Sequence, residues 1–152
     1  VANRIRTPDL DGAGVWAKRY FLASRALMDS VLRPYDLGHT QWYVLQLLAT
    51  NGPLNQREVT RLLEVERATL STITGVLVRK GLVEQLADDV DQRQKVLRIT
   101  AAGTELWSTI PDPIELITTV AFAGVDPADL ATAQRVLSEA TQRLLNHRTE
   151  NR

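Results

Sequence analysis

Residues 55–103 read NQREVTRLLEVERATLSTITGVLVRKGLVEQLADDVDQRQKVLRITAAG, and this stretch decides the fold. Asn55 followed three residues later by Glu58 is a capping box, so a short helix starts here and carries Val59, Leu62 and Leu63. A tight turn at Glu64 to Arg67 leads to a second helix over about Ala68 to Lys80, stopped by Gly81 at the position just past its end. Leu70, Ile73 and Leu77 form its inward stripe, while Arg67, Thr69, Ser71, Thr72 and Thr74 are polar and mostly outward. Gly75 in the helix interior costs propensity and implies a close approach, such as that of a neighbouring helix. Two strands follow, Leu82 to Ala87 and Lys95 to Thr100, joined by the polar turn from Asp88 to Lys95, with Leu97 and Ile99 facing the core. A helix-turn-helix followed by a polar hairpin suits duplex DNA: the second helix enters the major groove and the hairpin reaches the backbone or minor groove.

The flanks are helical. Residues 1–10 read as an extended arm punctuated by Pro8 and Gly12. From Ala13 to about Arg33, Trp16, Tyr20, Ala23, Leu27 and Val31 recur at helical period, and Pro34 ends the run. A further helix runs from about His39 to Thr50 with Trp42, Leu45 and Leu48 or Ala49 inward, closed by Asn51-Gly52-Pro53. Beyond the hairpin, Thr100 caps a long helix whose buried face is Leu106, Ile110, Ile114, Ile117 and Ala121, interrupted at Pro111 and Pro113 and ended by Gly124. Asp126-Pro127-Ala128-Asp129 starts a last helix carrying Leu130, Ala133, Leu137, Ala140 and Leu144 to about His147. The fold class is therefore mainly α with a small β-hairpin. The expected organisation is one domain over 1–152, in which 36–100 is the winged helix-turn-helix lobe and 1–35 and 101–152 pair two copies of the chain.

Composition removes several function classes. No run approaches a membrane span, and Val1 to Leu10 lacks an apolar signal segment, so a cytoplasmic protein is expected. Without cysteine there is no disulfide, no thiolate catalysis and no thiol-based redox sensing. His39 and His147 stand far apart with no ligand cluster, so neither a metal nor another cofactor is expected. No nucleophile–base pairing, glycine-rich phosphate loop or carboxylate cluster points to an enzyme. Lys plus Arg equals Asp plus Glu at 18 each, so the net charge is zero and the placement of cations matters more than their number. Arg57, Arg61, Arg67, Arg79, Lys80, Arg93, Lys95 and Arg98 all fall in the proposed DNA-binding stretch.

That order of elements, with Thr69-Leu70-Ser71, then Leu77 to Val83, then Asp88-x-x-Asp91-x-Arg93 and finally Thr100-x-x-Gly103, resembles the MarR family of winged-helix transcriptional regulators. The resemblance spans nearly the whole chain. It implies a homodimer with interleaved terminal helices that binds a pseudo-palindromic operator, usually as a repressor. It makes the helix at Ala68 to Lys80 the recognition helix, gives Arg93 a minor-groove contact or a wing-acid partner, and has Asp91 brace the wing turn. Two positions depart from the pattern: Gln92 stands where a second wing arginine is common, which shifts the contact to Arg93, and Val78 replaces a frequent glutamate.

The DNA-contacting set is Gln56, Arg57, Arg67, Ala68, Thr69, Ser71, Thr72, Arg79, Gln92, Arg93 and Lys95. Small hydroxyls on the second helix let its backbone approach the groove, and Gln56 and Arg57 sit at a helix N-terminus suited to phosphate. Glu66, awkward near phosphate, is expected to cap or to pair with an arginine. The resemblance also implies a cavity between the pairing helices and the DNA-binding lobe for a small aromatic or phenolic effector. Trp16, Tyr20, Trp42 and Tyr43 would line it, with Arg19 or His39 pairing a carboxylate. The competing reading is a winged-helix protein-interaction module without DNA binding, which would need neither a wing arginine nor an acid-poor recognition face.

Overall fold

The computed structural model describes residues 12–87, 89–90 and 93–150. The arm at 1–10, Asp91 and Gln92 lie outside the described residues. Helix α1 spans Ala13–Leu32, and a single 3₁₀ turn at Arg33–Tyr35 follows, where Pro34 has no N–H to continue the ladder. Helix α2 (His39–Asn51) begins after Gly38, which has no side chain to cap it. The carboxylate of Asp29 on α1 takes that role: its Oδ1 accepts from the His39 backbone N–H at 2.9 Å and pairs with His39 Nδ1 at 2.8 Å. One side chain thus caps α2 and ties it to α1.

The short strand β1 (Leu54–Asn55) leads directly into α3 (Gln56–Leu63). The capping box at its start is complete: Glu58 N–H donates to Asn55 Oδ1 at 2.8 Å and Asn55 N–H donates to Glu58 Oε2 at 3.1 Å. Glu64 makes the left-handed turn (φ 52°) into α4 (Arg67–Arg79). Glu66 stands at the N-cap of α4, but its side chain makes no capping hydrogen bond. Strands β2 (Val83–Ala87) and β3 (Lys95–Ile99) form the hairpin, in register from Val83↔Ile99 to Ala87↔Lys95. The sheet has three strands rather than two, in the order β1-β3-β2 and all antiparallel, because β1 pairs Leu54 with Leu97 and Asn55 with Val96. A two-residue strand carries no periodicity from which it could be read.

Leu32, Trp42, Leu45, Leu48, Val59, Leu70, Leu77, Val83 and Leu97 are fully or almost fully buried, so α1, α2, α3, α4 and the sheet share one core. Three expectations about faces are corrected. Thr74, placed among the outward residues of α4, is buried, and its hydroxyl has no hydrogen-bond partner. Trp16, Tyr20 and Ala23 on the first half of α1 are exposed, whereas Met28 and Leu32 are buried. The prolines divide the helix after Thr100 into α5 (Ala101–Thr109) and α6 (Pro113–Ala121), and the break resets the face. Pro113 and Ile117 are buried there, while Ile114 and Ala121 are exposed.

The chain divides at Ile117 into two compact units. The second holds the end of α6 and helix α7 (Pro127–Glu150), which Asp126 caps through its Oδ1 and the Ala128 N–H at 2.7 Å. Every residue of α7 from Ala131 onward is exposed, including Leu137 and Leu144. Glu139 pairs with both Arg135 and Arg143 along its surface. Among the described residues no helix is long and apolar enough to cross a membrane.

The Thr-x-x-Gly pattern has a physical reason. Thr100 caps α5 by accepting from Gly103 N–H at 3.0 Å, donates its hydroxyl to the Gly81 carbonyl at 2.6 Å, and donates its backbone N–H to the Leu82 carbonyl at 3.0 Å. A Cβ on Gly103 would fall on that same Leu82 carbonyl and lie 2.7 Å from Ile99 Cγ1. Gly75 is the opposite case: no neighbouring helix presses on it, and a Cβ would meet only the Arg79 guanidinium of its own helix at 3.5 Å. Gly103→Ala is therefore expected to cost about 1–3 kcal/mol. Gly75→Ala should be neutral or stabilising by up to about 1 kcal/mol. Urea unfolding of both variants checks the pair, and equal effects would contradict this account.

Candidate nucleic-acid interface

A cleft of about 730 Å³ opens between the start of α3, one face of α4 and the hairpin. Its lining is Gln56, Arg57 and Thr60 from α3, Arg67, Ser71 and Gly75 from α4, and Gln85, Arg93, Gln94 and Lys95 from the wing. Among the described residues that line it are four cations, no carboxylate and no aliphatic or aromatic side chain. Each contributing element supplies residues at its own period. On α4 the lining residues recur every fourth position, and on α3 Gln56 and Thr60 stand one turn apart, with the Thr60 hydroxyl donating to the Gln56 carbonyl at 2.7 Å. In the hairpin, Gln85, Leu97 and Lys95 share one face by register.

Two nearby cations of the same lobe are paired with acids. Lys80, counted by sequence among the DNA-binding positives, instead ties the end of α4 to the α1–α2 connection. Its ammonium donates to the Asp36 carbonyl and to Gln41 Oε1 (3.1 Å), and lies 3.2 Å from Asp36 Oδ2. Arg98 pairs across the strands with Glu84 at 2.7 Å, on the face of the hairpin away from the cleft. Arg57, Arg67 and Lys95 have no ion pair with any described residue.

Of the sequence-proposed DNA set, Gln56, Arg57, Arg67, Ser71, Arg93 and Lys95 come together in this cleft. Ala68, Thr69, Thr72 and Arg79 are exposed on the adjoining face of α4, and the Thr72 hydroxyl folds back onto the Ala68 carbonyl at 3.1 Å. Gln92 lies outside the described residues. Sequence reasoning did not single out Thr60, Gln85 and Gln94, and it gave Gly75 a packing role. Strand register and four-residue spacing were the signals that place them here.

The proposed effector residues sit apart from the cleft. Trp16 is 56% exposed on α1, with the Arg19 guanidinium 4.9 Å from its ring centroid. Tyr20 is exposed on the same helix. Trp42 is in the core, in edge contact with Tyr43 (5.2 Å between centroids) and tilted against Trp107 of α5 (5.4 Å). Burial raises the Tyr43 phenol above its ordinary pKa. His39 is held by Asp29 at the start of α2. A second, smaller cleft of about 300 Å³ lies beside that pair, lined by Asp29, Arg33, Asp36, Leu37, Gly38, Gln41 and Lys80 and by none of the six effector candidates. No group of three or more metal-ligating side chains occurs among the described residues.

A family model described as the MarR family matches residues 35–94. The HTH-type transcriptional regulator FarR of Neisseria gonorrhoeae is 30% identical over 96 residues, covering 61% of this chain and 66% of FarR, just under two thirds of that protein's length. Among solved structures, BpsR of Bordetella bronchiseptica, whose DNA binding is regulated by 6-hydroxynicotinic acid, superposes with a TM-score of 0.78 at 21% identity. That match covers 89% of this chain and 96% of BpsR. A mutant MarR from E. coli complexed with operator DNA gives a TM-score of 0.76 at 20% identity, covering 84% and 91% of the two chains. At these identities the structural matches establish the fold: a winged helix-turn-helix.

Desolvation by burial acts to raise the Asp29 carboxyl, but the hydrogen bonds from the His39 N–H and ring, with the charges of His39 and Arg25, outweigh it and hold the group below its ordinary value. A depressed carboxylate contributes stability that is fully present above its unfolded value and lost as pH falls through the folded one. The melting-temperature gap between the wild-type chain and Asp29→Ala should therefore be full at pH 6 and shrink below about pH 4. A gap constant down to pH 2 would refute this linkage.

Proposed function

We propose, from the premise that the chain belongs to the MarR family, that it is a sequence-specific regulator of transcription that binds double-stranded DNA in the cytoplasm as a homodimer. The observation that carries this reading is the clustering of charge: in a chain of net charge zero, the cleft between α4 and the wing gathers four cations, with no carboxylate among its described lining residues, while Lys80 and Arg98 nearby are paired with acids. A surface selected only for solubility has no reason to segregate its signs in this way. The exposed outer face of α4, with Ala68, Thr69, Thr72 and Arg79, is the part that reads base edges in the major groove. The cleft face, with Arg67 and Ser71, turns toward the backbone. Arg93 and Lys95 extend the contact from the wing.

Dimerisation supplies the second half-site. Leu137 and Leu144 on α7 are 48% and 73% exposed in the single chain, and Trp16 and Phe21 on α1 are 56% and 60% exposed. Such apolar surface is what a partner copy covers. The chain acts as a repressor, and a small aromatic effector that favours a different spacing of the two recognition helices lowers its DNA affinity by linkage. BpsR, regulated by 6-hydroxynicotinic acid, supports that reading by analogy. Trp16, Arg19, Tyr20, His39, Trp42 and Tyr43 remain its proposed contacts, with the buried Trp42 acting as a wall rather than a direct ligand.

Fluorescence anisotropy with a duplex selected from a random-sequence pool, against a scrambled duplex, tests DNA binding. If each of the four cleft cations in each protomer meets one phosphate, log Kd against log salt has a slope of about 7, and Arg67→Ala lowers it by about 2 per dimer. Failure to enrich any duplex would overturn the regulator reading in favour of a protein-interaction module. Light scattering should give twice the chain mass, and Leu137→Asp with Leu144→Asp should return the protein to monomer. A wild-type monomer at micromolar concentration would refute the dimer.

A further inference from the structure

Charge does not explain every residue of the cleft. Gln85 stands on β2 opposite Leu97, on the face that carries Val83 and Ile99 toward the core and Ala87 and Lys95 toward the turn. Leu97 is fully buried and Lys95 is exposed, so Gln85 occupies the place where the apolar face of the sheet opens into the cleft. The residue is half-buried and its amide makes no hydrogen bond to any described residue. The amide is not sealed in the core, so a partner from outside the chain can reach it. Glu84, one residue earlier and on the other face, is by contrast already engaged in its 2.7 Å pair with Arg98.

Arg57, Arg67, Arg93 and Lys95 line the same cleft, with no carboxylate among its described lining residues. That lining favours an anion, and the Gln85 amide presents two N–H donors to it. Base edges lie in groove floors and are reached by protruding elements, whereas a concave, cation-lined surface fits the sugar–phosphate strand. A flat aromatic guest would find no aromatic or aliphatic side chain to stack on among the described lining residues. We infer that Gln85 is a positioning residue that holds one backbone phosphate of the strand passing between α4 and the wing. The inference rests on the DNA-binding reading and adds to it a contact that carries no charge.

A neutral contact to phosphate has a distinct signature. Removing it weakens all duplexes alike and leaves the salt dependence unchanged, because no counterion release is lost. The experiment uses the full chain with the selected duplex and a scrambled one, across a salt series, with the melting temperature of each variant measured alongside. Gln85→Ala should weaken binding to both duplexes by the same factor, about tenfold, at unchanged slope. Gln85→Lys should keep or raise affinity and steepen the slope by about 1 for each half-site. Gln85→Glu should weaken binding most. Unchanged affinity in Gln85→Ala, or an unchanged slope in Gln85→Lys, would overturn the assignment while wild-type binding left the DNA reading standing. A change in discrimination between duplexes would also overturn it, because it would mark a base contact. If the wild-type chain bound no duplex, both readings would fall together.

Discussion

The approach of Gly103 to the Leu82 carbonyl governs the geometry of the winged lobe. At that point the end of α4, the start of β2, the end of β3 and the first turn of α5 meet, joined by three hydrogen bonds made by Thr100. A two-stranded hairpin is marginal on its own. This one has its base fixed by that junction and its second strand, β3, paired with β1. The cleft is therefore the space between a helix and a ribbon that diverge from a common anchor, and a small displacement at the base would be magnified at the rim. The closely packed base is what holds Arg67 on α4 and Lys95 on the hairpin to the same cleft.

Charge is arranged around this frame by two opposite rules. Where a cation secures one element to another, an acid faces it: Lys80 meets Asp36 and Arg98 meets Glu84. Both pairs are at least partly exposed, so they contribute orientation more than stability. Facing the cleft, Arg57, Arg67 and Lys95 have no ion pair with any described residue, and their mutual repulsion is a cost that an anionic partner would remove. The buried Thr74 hydroxyl, with no hydrogen-bond partner, shows that the inner side of α4 is not optimised for stability either.

The elements that set the fold were largely legible in the residues. The capping box at Asn55, the stop at Gly81, the proline break before α6 and the restart at Asp126 are local chemistry, and local chemistry is visible in sequence. What escaped depends on tertiary placement. Strand β1 is two residues long and exists only because β3 is there to pair with it. Thr74 reads as another hydroxyl of a polar face until the packing of α4 turns it inward. Lys80 reads as one more cation for DNA, because Asp36 is distant in sequence. Gln85 carries no charge and no motif, and only the register opposite Leu97 places it in the cleft. Six of the eleven proposed DNA residues meet in one cleft because helical and strand periods are regular enough to extrapolate.

Equal numbers of acids and bases, with an isoelectric point near 6.9, give the segregated cleft a further consequence. A neutral body with four cations gathered in one cleft presents a local positive field rather than a net positive charge. It is turned by the field of a polyanion before it is drawn toward it, and that attraction fades faster with distance than the pull on a basic protein. On the DNA-binding reading proposed above, such a chain would arrive at DNA already oriented but spend little time on arbitrary sequence. The same balance removes the colloidal repulsion that keeps charged proteins apart, so its solubility minimum falls close to neutral pH.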